Sequence, residues 1–208
     1  MINIRKYSCQ NMDVNSYILA KDNKALIIDP GFNGKKIIEH CQNHHLEIEK
    51  VILTHGHYDH IRDLKMIIND DIIIYIHEAE KDFLFNPNLN LSNLFKDDFV
   101  LNKDIRLELV QDASNIEFQK EQLKIIHLPG HTKGSIGIIY NQHFFSGDTL
   151  FYDSIGRTDL ASGNQVQMHN SLKKIASKFS KNTIVYPGHG KGGNLNDIFK
   201  ANPYLRIY

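Results

Sequence analysis

The sequence predicts an α+β protein in which two mixed β-sheets carry helices on their outer faces, an arrangement that buries both β faces. Short runs rich in Ile, Val, Leu, Phe and Tyr recur along the chain, the mark of strands. A few segments with helical spacing interrupt them without strict alternation, which fits neither a parallel α/β sheet nor an all-β protein. The length of 208 residues suits one domain, spanning 1–208, with a sizeable core.

The elements follow in order. Asn15 to Ala20 and Ala25 to Asp29 read as strands around a polar Lys21-Asp22-Asn23 turn, and Asp29-Pro30-Gly31 stops the second. Lys35 to His45 has helical spacing, with Ile37, Ile38 and Cys41 on one side. Val51 to Thr54 is a short buried strand that runs into a histidine cluster. A helix over Ile61 to Ile68 and a strand over Ile72 to Ile76 are expected next. Phe85 to Asp98, with Asn86-Pro87-Asn88, reads as a long loop holding one helical turn, a candidate lid. Strands are expected at Arg106 to Val110, Ile116 to Phe118 and Leu123 to Leu128. A hairpin follows, with strands Ser135 to Tyr140 and His143 to Ser146 joined by Asn141-Gln142. A helix over Gln165 to Phe179 and a strand over Thr183 to Tyr186 complete the pattern.

Composition excludes some functions. The 24 basic and 24 acidic residues cancel, so no global field draws nucleic acid or an anionic membrane. The first twenty residues lack the apolar stretch and cleavage site of an export signal, and no run reaches membrane-spanning length; a cytoplasmic address is expected. Cys9 and Cys41 are far apart and read as free thiols.

The chemistry lies in histidine placement. His55, His57 and His60 fall within six residues together with Asp59. Three further residues share one local grammar: His131 follows Leu128-Pro129-Gly130, Asp148 follows Ser146-Gly147, and His189 follows Pro187-Gly188. Each stands at a predicted strand end in a glycine turn, where the side chain is held rigidly and the backbone turns closely around an ion. Imidazole nitrogen and carboxylate oxygen are ligands for zinc, iron or manganese. His55 and His57 can chelate one ion, and Asp59 and His60 can turn toward a second. Five histidines and two aspartates exceed the needs of one tetrahedral ion, whereas two ions bridged by a carboxylate would use all seven. His40, His44, His45, His77, His127, His143 and His169 are assigned no role.

His55-x-His57-x-Asp59-His60, Gly130-His131-Thr132, Gly147-Asp148 and Gly188-His189-Gly190 together resemble the full signature of the metallo-β-lactamase superfamily, and Asp29-Pro30-Gly31 matches its early Asp-x-Gly turn. The resemblance spans nearly the whole chain. It implies an αββα sandwich, with His55, His57 and His131 on a first metal, Asp59, His60 and His189 on a second, and Asp148 bridging both. Asp29 and Thr132 would stand behind the ligands and orient them by hydrogen bonds. Two departures are visible. The run continues His60-Ile61-Arg62-Asp63, where the family often has small residues, and Lys133 stands where proline is common.

Two bound cations, zinc first with iron or manganese also compatible, lower the pKa of a shared water, and the resulting hydroxide can attack a carbonyl carbon. No Gly-x-Ser-x-Gly elbow is present to supply another nucleophile. Asp59 and Asp148 are the candidate catalytic carboxylates. The turn Asp148 to Phe151, the stretch Gly156 to Leu160 and the ending Asn202-Pro203-Tyr204 resemble the single-domain bacterial branch related to glyoxalase II. The resemblance implies a dinuclear hydrolase of a small thiolester or ester. The short segment after His189 has room for one short helix, which leaves the thiol open. Tyr152, Arg157 and Asp159 are substrate-loop candidates, although an Arg157–Asp159 pair is read first as ordering the loop. The rival reading is a persulfide dioxygenase-like oxidoreductase with one iron on His55, His131 and Asp148. A small-molecule substrate is expected, with no nucleic-acid or membrane partner; the oligomeric state is not legible.

Overall fold

The computed structural model describes residues 1–10, 12–102 and 104–208. The chain falls into two compact units. One comprises Met1–Val110 and Phe118–Glu121, the other Gln111–Glu117 and Gln122–Tyr208.

The first unit is built on β1 (Asn3–Cys9), β2 (Val14–Lys21), β3 (Lys24–Ile28), β4 (Glu47–Ile52), β5 (Ile73–His77) and β6 (Arg106–Val110), hydrogen-bonded in that order. β1, β2 and β3 pair antiparallel, and β3 to β6 pair parallel. Consecutive residues Ala25 to Ile28 have no exposure, so both faces of β3 are covered; this is why the strand reads as a continuous apolar run. α1 (Gly34–Asn43) buries Gly34, Ile37 and Cys41, one face of a 3.6-residue period. Cys9 and Cys41 are both free, and burial pushes the Cys41 thiol up to about 11, which leaves it inert near neutrality.

Three expectations need correction in this unit. The helix over 61–68 is instead two four-residue helices, α2 (Tyr58–Ile61) and α3 (Leu64–Ile67). Asp63 separates them because its main chain and side chain are engaged elsewhere. Its N–H donates to the Gly31 carbonyl at 2.8 Å, and its carboxylate accepts from the Gly34 N–H at 2.9 Å. A Cβ at Gly34 would lie 2.6 Å from the Asp63 Cβ, so glycine is required there. Asp63 is thus a buried anchor of the 31–34 turn. β4 begins at Glu47, ahead of the expected Val51, because its first half is only partly buried and carries charges. β1 is a strand that the sequence pattern does not predict: Asn-Ile-Arg-Lys-Tyr-Ser-Cys lacks a clean alternation, yet it pairs with β2 along its whole length.

The segment Phe85–Asp98 contains one 3₁₀ turn, Ser92–Phe95, and follows another, Glu78–Phe85. Buried Asn90 organises it. Its Nδ2 donates to the carbonyls of Phe83 and Phe99 at 2.8 and 3.0 Å, and its Oδ1 accepts from the Ser92 N–H at 2.9 Å.

The second sheet comprises β7 (Asn115–Phe118), β8 (Glu121–His127), β9 (Ile136–Tyr140), β10 (His143–Gly147), β11 (Ile184–Pro187) and β12 (Gly193–Asn194), in the order β12-β11-β10-β9-β8-β7, and all of it but Phe118 and Glu121 belongs to the second unit. β10 and β11 are parallel; β8–β9, β9–β10 and β11–β12 are antiparallel. Asn141 turns the β9–β10 hairpin at φ 51°, a left-handed conformation that asparagine tolerates. α4 (Gln165–Lys178) starts at Asn164, whose side chain accepts from the Gln167 N–H, and buries Met168, Ser171, Leu172 and Ile175. α5 (Leu195–Ala201) is the short helix for which the sequence left room. Among the described residues no helix is long and apolar enough to cross a membrane.

Candidate metal centre

In the first unit the run Thr54 to His60 leaves the end of β4 and enters α2. Its frame is Asp29, just beyond β3, held at a left-handed φ of 48°. Asp29 Oδ1 accepts from the Thr54 N–H at 2.8 Å. Oδ2 accepts from the Thr54 hydroxyl at 2.6 Å and lies 2.9 Å from His60 Nδ1. An ionised carboxylate only accepts, so His60 carries its proton on Nδ1. The Thr54 hydroxyl has given its hydrogen to Asp29, so its oxygen accepts from His55 Nδ1, 3.2 Å away. Both rings thereby present Nε2 as a lone pair, the arrangement in which an outer carboxylate fixes a ligand's tautomer.

His55, His57 and His60 are buried, at 1%, 3% and 0% exposure, which removes the water that would compete for their nitrogens. The donor atoms of His55 and His57 lie within 4.8 Å of one another, as do those of His55 and His60. Half-buried Asp59 places Oδ2 at 3.9 Å from His60 Nε2. Gly31, at φ 50°, donates its N–H to the His60 carbonyl at 2.9 Å, so the 29–31 turn also clamps the backbone of α2.

Two supports escaped the sequence reading. Glu80, fully buried, accepts from the Gly56 N–H through Oε2 at 2.9 Å, and a Cβ at Gly56 would lie 2.3 Å from the Phe83 Cβ. The glycine between the first two histidines is therefore fixed by packing; only the glycine itself was a signal. Tyr58 ties the 85–98 segment to the run. Its N–H donates to the Asn90 carbonyl at 2.7 Å and its hydroxyl to Asp97 Oδ2 at 2.5 Å. Burial, and then the Asp97 carboxylate, hold the Tyr58 phenol above its ordinary pKa.

In the second unit His131, Asp148 and His189 leave the ends of β8, β10 and β11. His131 Nδ1 lies 2.8 Å from the Arg157 carbonyl, which can only accept, so this ring too carries hydrogen on Nδ1. Its Nε2 stands 3.6 Å from Asp148 Oδ2, and His189 Nε2 stands 3.4 Å from the same oxygen. One carboxylate oxygen thus sits between two imidazole nitrogens, with His131 and Asp148 almost fully buried.

Glycines clear the space. A Cβ at Gly130, where φ is 143°, would lie 2.4 Å from the backbone of Met168 in α4. One at Gly156 would lie 1.9 Å from the Asp148 carbonyl oxygen and 3.1 Å from His131 Nδ1. Thr132 bonds through its N–H and hydroxyl to Ser135 Oγ, at 3.1 and 2.7 Å, and so pins the turn that carries His131. Arg157 reaches His131 with its main chain; its guanidinium makes two 2.7 Å bonds to Asp159 in an exposed pair, which holds the Asp159 carboxyl down at about 2. Tyr152 lies beneath Lys191 Nζ at 3.7 Å, and the Phe151 ring meets His189 edge-on at 5.8 Å. Behind the 155–157 loop is a cavity of about 400 Å³ bounded by Gly156, Arg157, Met168, Tyr204 and Ile207.

The donor chemistry fits divalent cations. Each unit presents imidazole nitrogens and carboxylate oxygens with no thiolate, a set that zinc, iron and manganese accept. In the second unit the His131 tautomer directs a lone pair toward the same region as an acidic oxygen, and acceptors gathered in this way are stabilised by a shared positive charge.

Comparison with known proteins agrees. The sequence model described as metallo-beta-lactamase superfamily matches residues 10–189. The chain is 32% identical over 197 residues to the "Probable metallo-hydrolase YqgX" of Bacillus subtilis, covering 93% of each. It is 31% identical over 201 residues to "Hydroxyacylglutathione hydrolase GloC" of Haemophilus influenzae, covering 91% of each. The crystal structure of the B3 metallo-beta-lactamase BLEG-1 superposes with a TM-score of 0.89 at 30% identity, over 98% of this chain and 99% of that one. So close a likeness over nearly the whole length bears out the expected fold class.

Proposed function

Because this chain belongs to the metallo-β-lactamase superfamily, we propose that its two donor sets act together on a pair of divalent cations to hydrolyse a small thiolester. The observation that carries this reading is Asp148 Oδ2, flanked by Nε2 of His131 and Nε2 of His189. In this assignment His55, His57 and His131 hold one cation, Asp59, His60 and His189 hold the other, and Asp148 serves both. Such cations supply a Lewis acid for a carbonyl oxygen and lower the pKa of water to near neutrality.

The chain's own residues set the conditions for that chemistry. Asp29 keeps hydrogen on Nδ1 of His60 directly and on Nδ1 of His55 through Thr54. The Arg157 carbonyl does the same for His131. His55, His60 and His131 therefore need no tautomer change to bind. Asp59, the less buried of the two candidate catalytic carboxylates, is the one that orients the attacking water and takes its proton. Burial of the three first-unit histidines excludes bulk water from their nitrogens. The thiolester class is supported by the glyoxalase II-like stretches around Asp148 and Gly156 and by the likeness to GloC.

The test uses protein purified without chelator. Elemental analysis is expected to give two ions per chain and to identify them. Lactoylglutathione and a panel of other acyl thiols, assayed without oxygen, should be cleaved at one or more members, with a β-lactam as the comparison substrate. Oxygen consumption with a persulfide and no thiolester cleavage, or cleavage of the β-lactam alone, overturns the proposal.

A further inference from the structure

β6 is the edge of the first unit's sheet: among the described residues no strand pairs with it on the side away from β5. An exposed edge presents a row of backbone donors and acceptors to any strand that can match it. The side chains are sorted by face. Leu107 and Leu109 alternate with Arg106 and Glu108, and Leu109 is 45% exposed. Ile105, Leu107 and Leu109 line a groove of about 540 Å³ with Phe85, flanked by Lys81 and Asp82.

Self-pairing of this strand in the antiparallel sense has few registers that keep apolar residues on one face, since directly opposite residues share a face. A register centred on Arg106 sets that arginine against itself, and one centred on Glu108 opposes two carboxylates; both are disfavoured. The register centred on Leu107 sets Arg106 against the partner's Glu108 twice. It also opposes Leu107 to itself and Leu109 to the partner's Ile105. Among the registers centred within Arg106–Glu108, the alternating charges therefore favour the self-complementary one with a twofold axis at Leu107. Arg106 Nη1 already donates to the Asp71 carbonyl at 3.1 Å, which steadies the guanidinium and leaves its other donors for a carboxylate.

We infer that the β6 edge is a docking surface for a second copy of this chain, joining two sheets into one through an isologous antiparallel pair. A contact of one short strand per copy lies at the small end of interface sizes, so the dimer forms reversibly with concentration. Sedimentation velocity of the full chain from low micromolar to millimolar concentration should show a monomer giving way to a dimer. Glu108→Arg sets a new guanidinium in each copy against the partner's Arg106 and is expected to raise the dimer dissociation constant at least about tenfold. The double variant Arg106→Glu/Glu108→Arg restores opposite charges in the same register and should restore the dimer. Melting curves by circular dichroism check that each variant folds. Wild-type protein that stays monomeric throughout, a folded Glu108→Arg that dimerises as well as wild type, or a folded double variant that stays monomeric overturns the inference.

Discussion

The first unit draws four candidate ligands from residues 55–60 and orients the rings of two, His55 and His60, with side chains; the second draws three from separate turns and orients the ring of His131 with a main-chain carbonyl. In the first, one carboxylate, Asp29, reaches His60 directly and His55 through Thr54, and a second buried carboxylate, Glu80, fixes the intervening Gly56. In the second, a carbonyl oxygen fixes His131 and glycines at 130 and 156 make room. A compact run can be oriented by one polar network. Ligands brought from three strand ends must rely on where the backbone goes, which makes them sensitive to a single added methyl group.

Four substitutions break or sharpen that contrast. The largest effect is expected from Asp148→Ala, which removes the carboxylate proposed to serve both cations: thiolester turnover should be abolished and elemental analysis should show fewer than two ions per chain. Near-full turnover would reject the shared role. Next is Gly156→Ala in the backbone-held unit. The new Cβ would sit 1.9 Å from the Asp148 carbonyl oxygen, a clash with main chain that no side-chain rotation relieves. A shift of about 1 Å at a reacting centre can cost roughly 10²-fold in rate, and kcat should fall by that order. Asp29→Asn tests the side-chain-held unit. Its amide keeps the shape but loses part of the acceptor capacity that His60 and Thr54 share, so metal affinity, followed by competition with a chromophoric chelator, should drop about 10- to 100-fold. The smallest change is expected from Arg157→Ala. His131 uses the carbonyl of Arg157, and the guanidinium pairs with exposed Asp159. Thermal melting of this variant should therefore be indistinguishable from that of the parent chain, as for most surface substitutions. A large rise in KM in that variant would reassign the guanidinium to substrate.

The contrast also explains what could be read in advance. The strands from β2 to β11, apart from the charged first half of β4, and both long helices were legible from apolar runs or helical periods, the marks of buried elements. The histidine run was legible because it is contiguous. The second unit's donors were visible only through the repeated glycine before His131, Asp148 and His189. What escaped had no local signature. Glu80 lies in a 3₁₀ turn with an unremarkable composition, and its value comes from meeting Gly56 across the fold. Arg157 stands out in the sequence for its charge, whereas the atom that reaches His131 is one that every residue possesses. The break between α2 and α3 depends on Asp63 reaching the 31–34 turn, a partner distant in sequence, while helical periodicity alone would have continued.

That break carries a consequence for how damage spreads through the molecule. The carboxylate of Asp63 meets the first N–H of α1, and the same residue's N–H meets the carbonyl of Gly31, whose own N–H holds His60. A bulky residue at position 34, on a helix that supplies no ligand, would push Asp63, then the turn, then the backbone of a histidine. A mutational map of this chain would therefore show the start of α1 as sensitive ground, and its sensitivity would trace loss of the histidine's placement rather than loss of the helix.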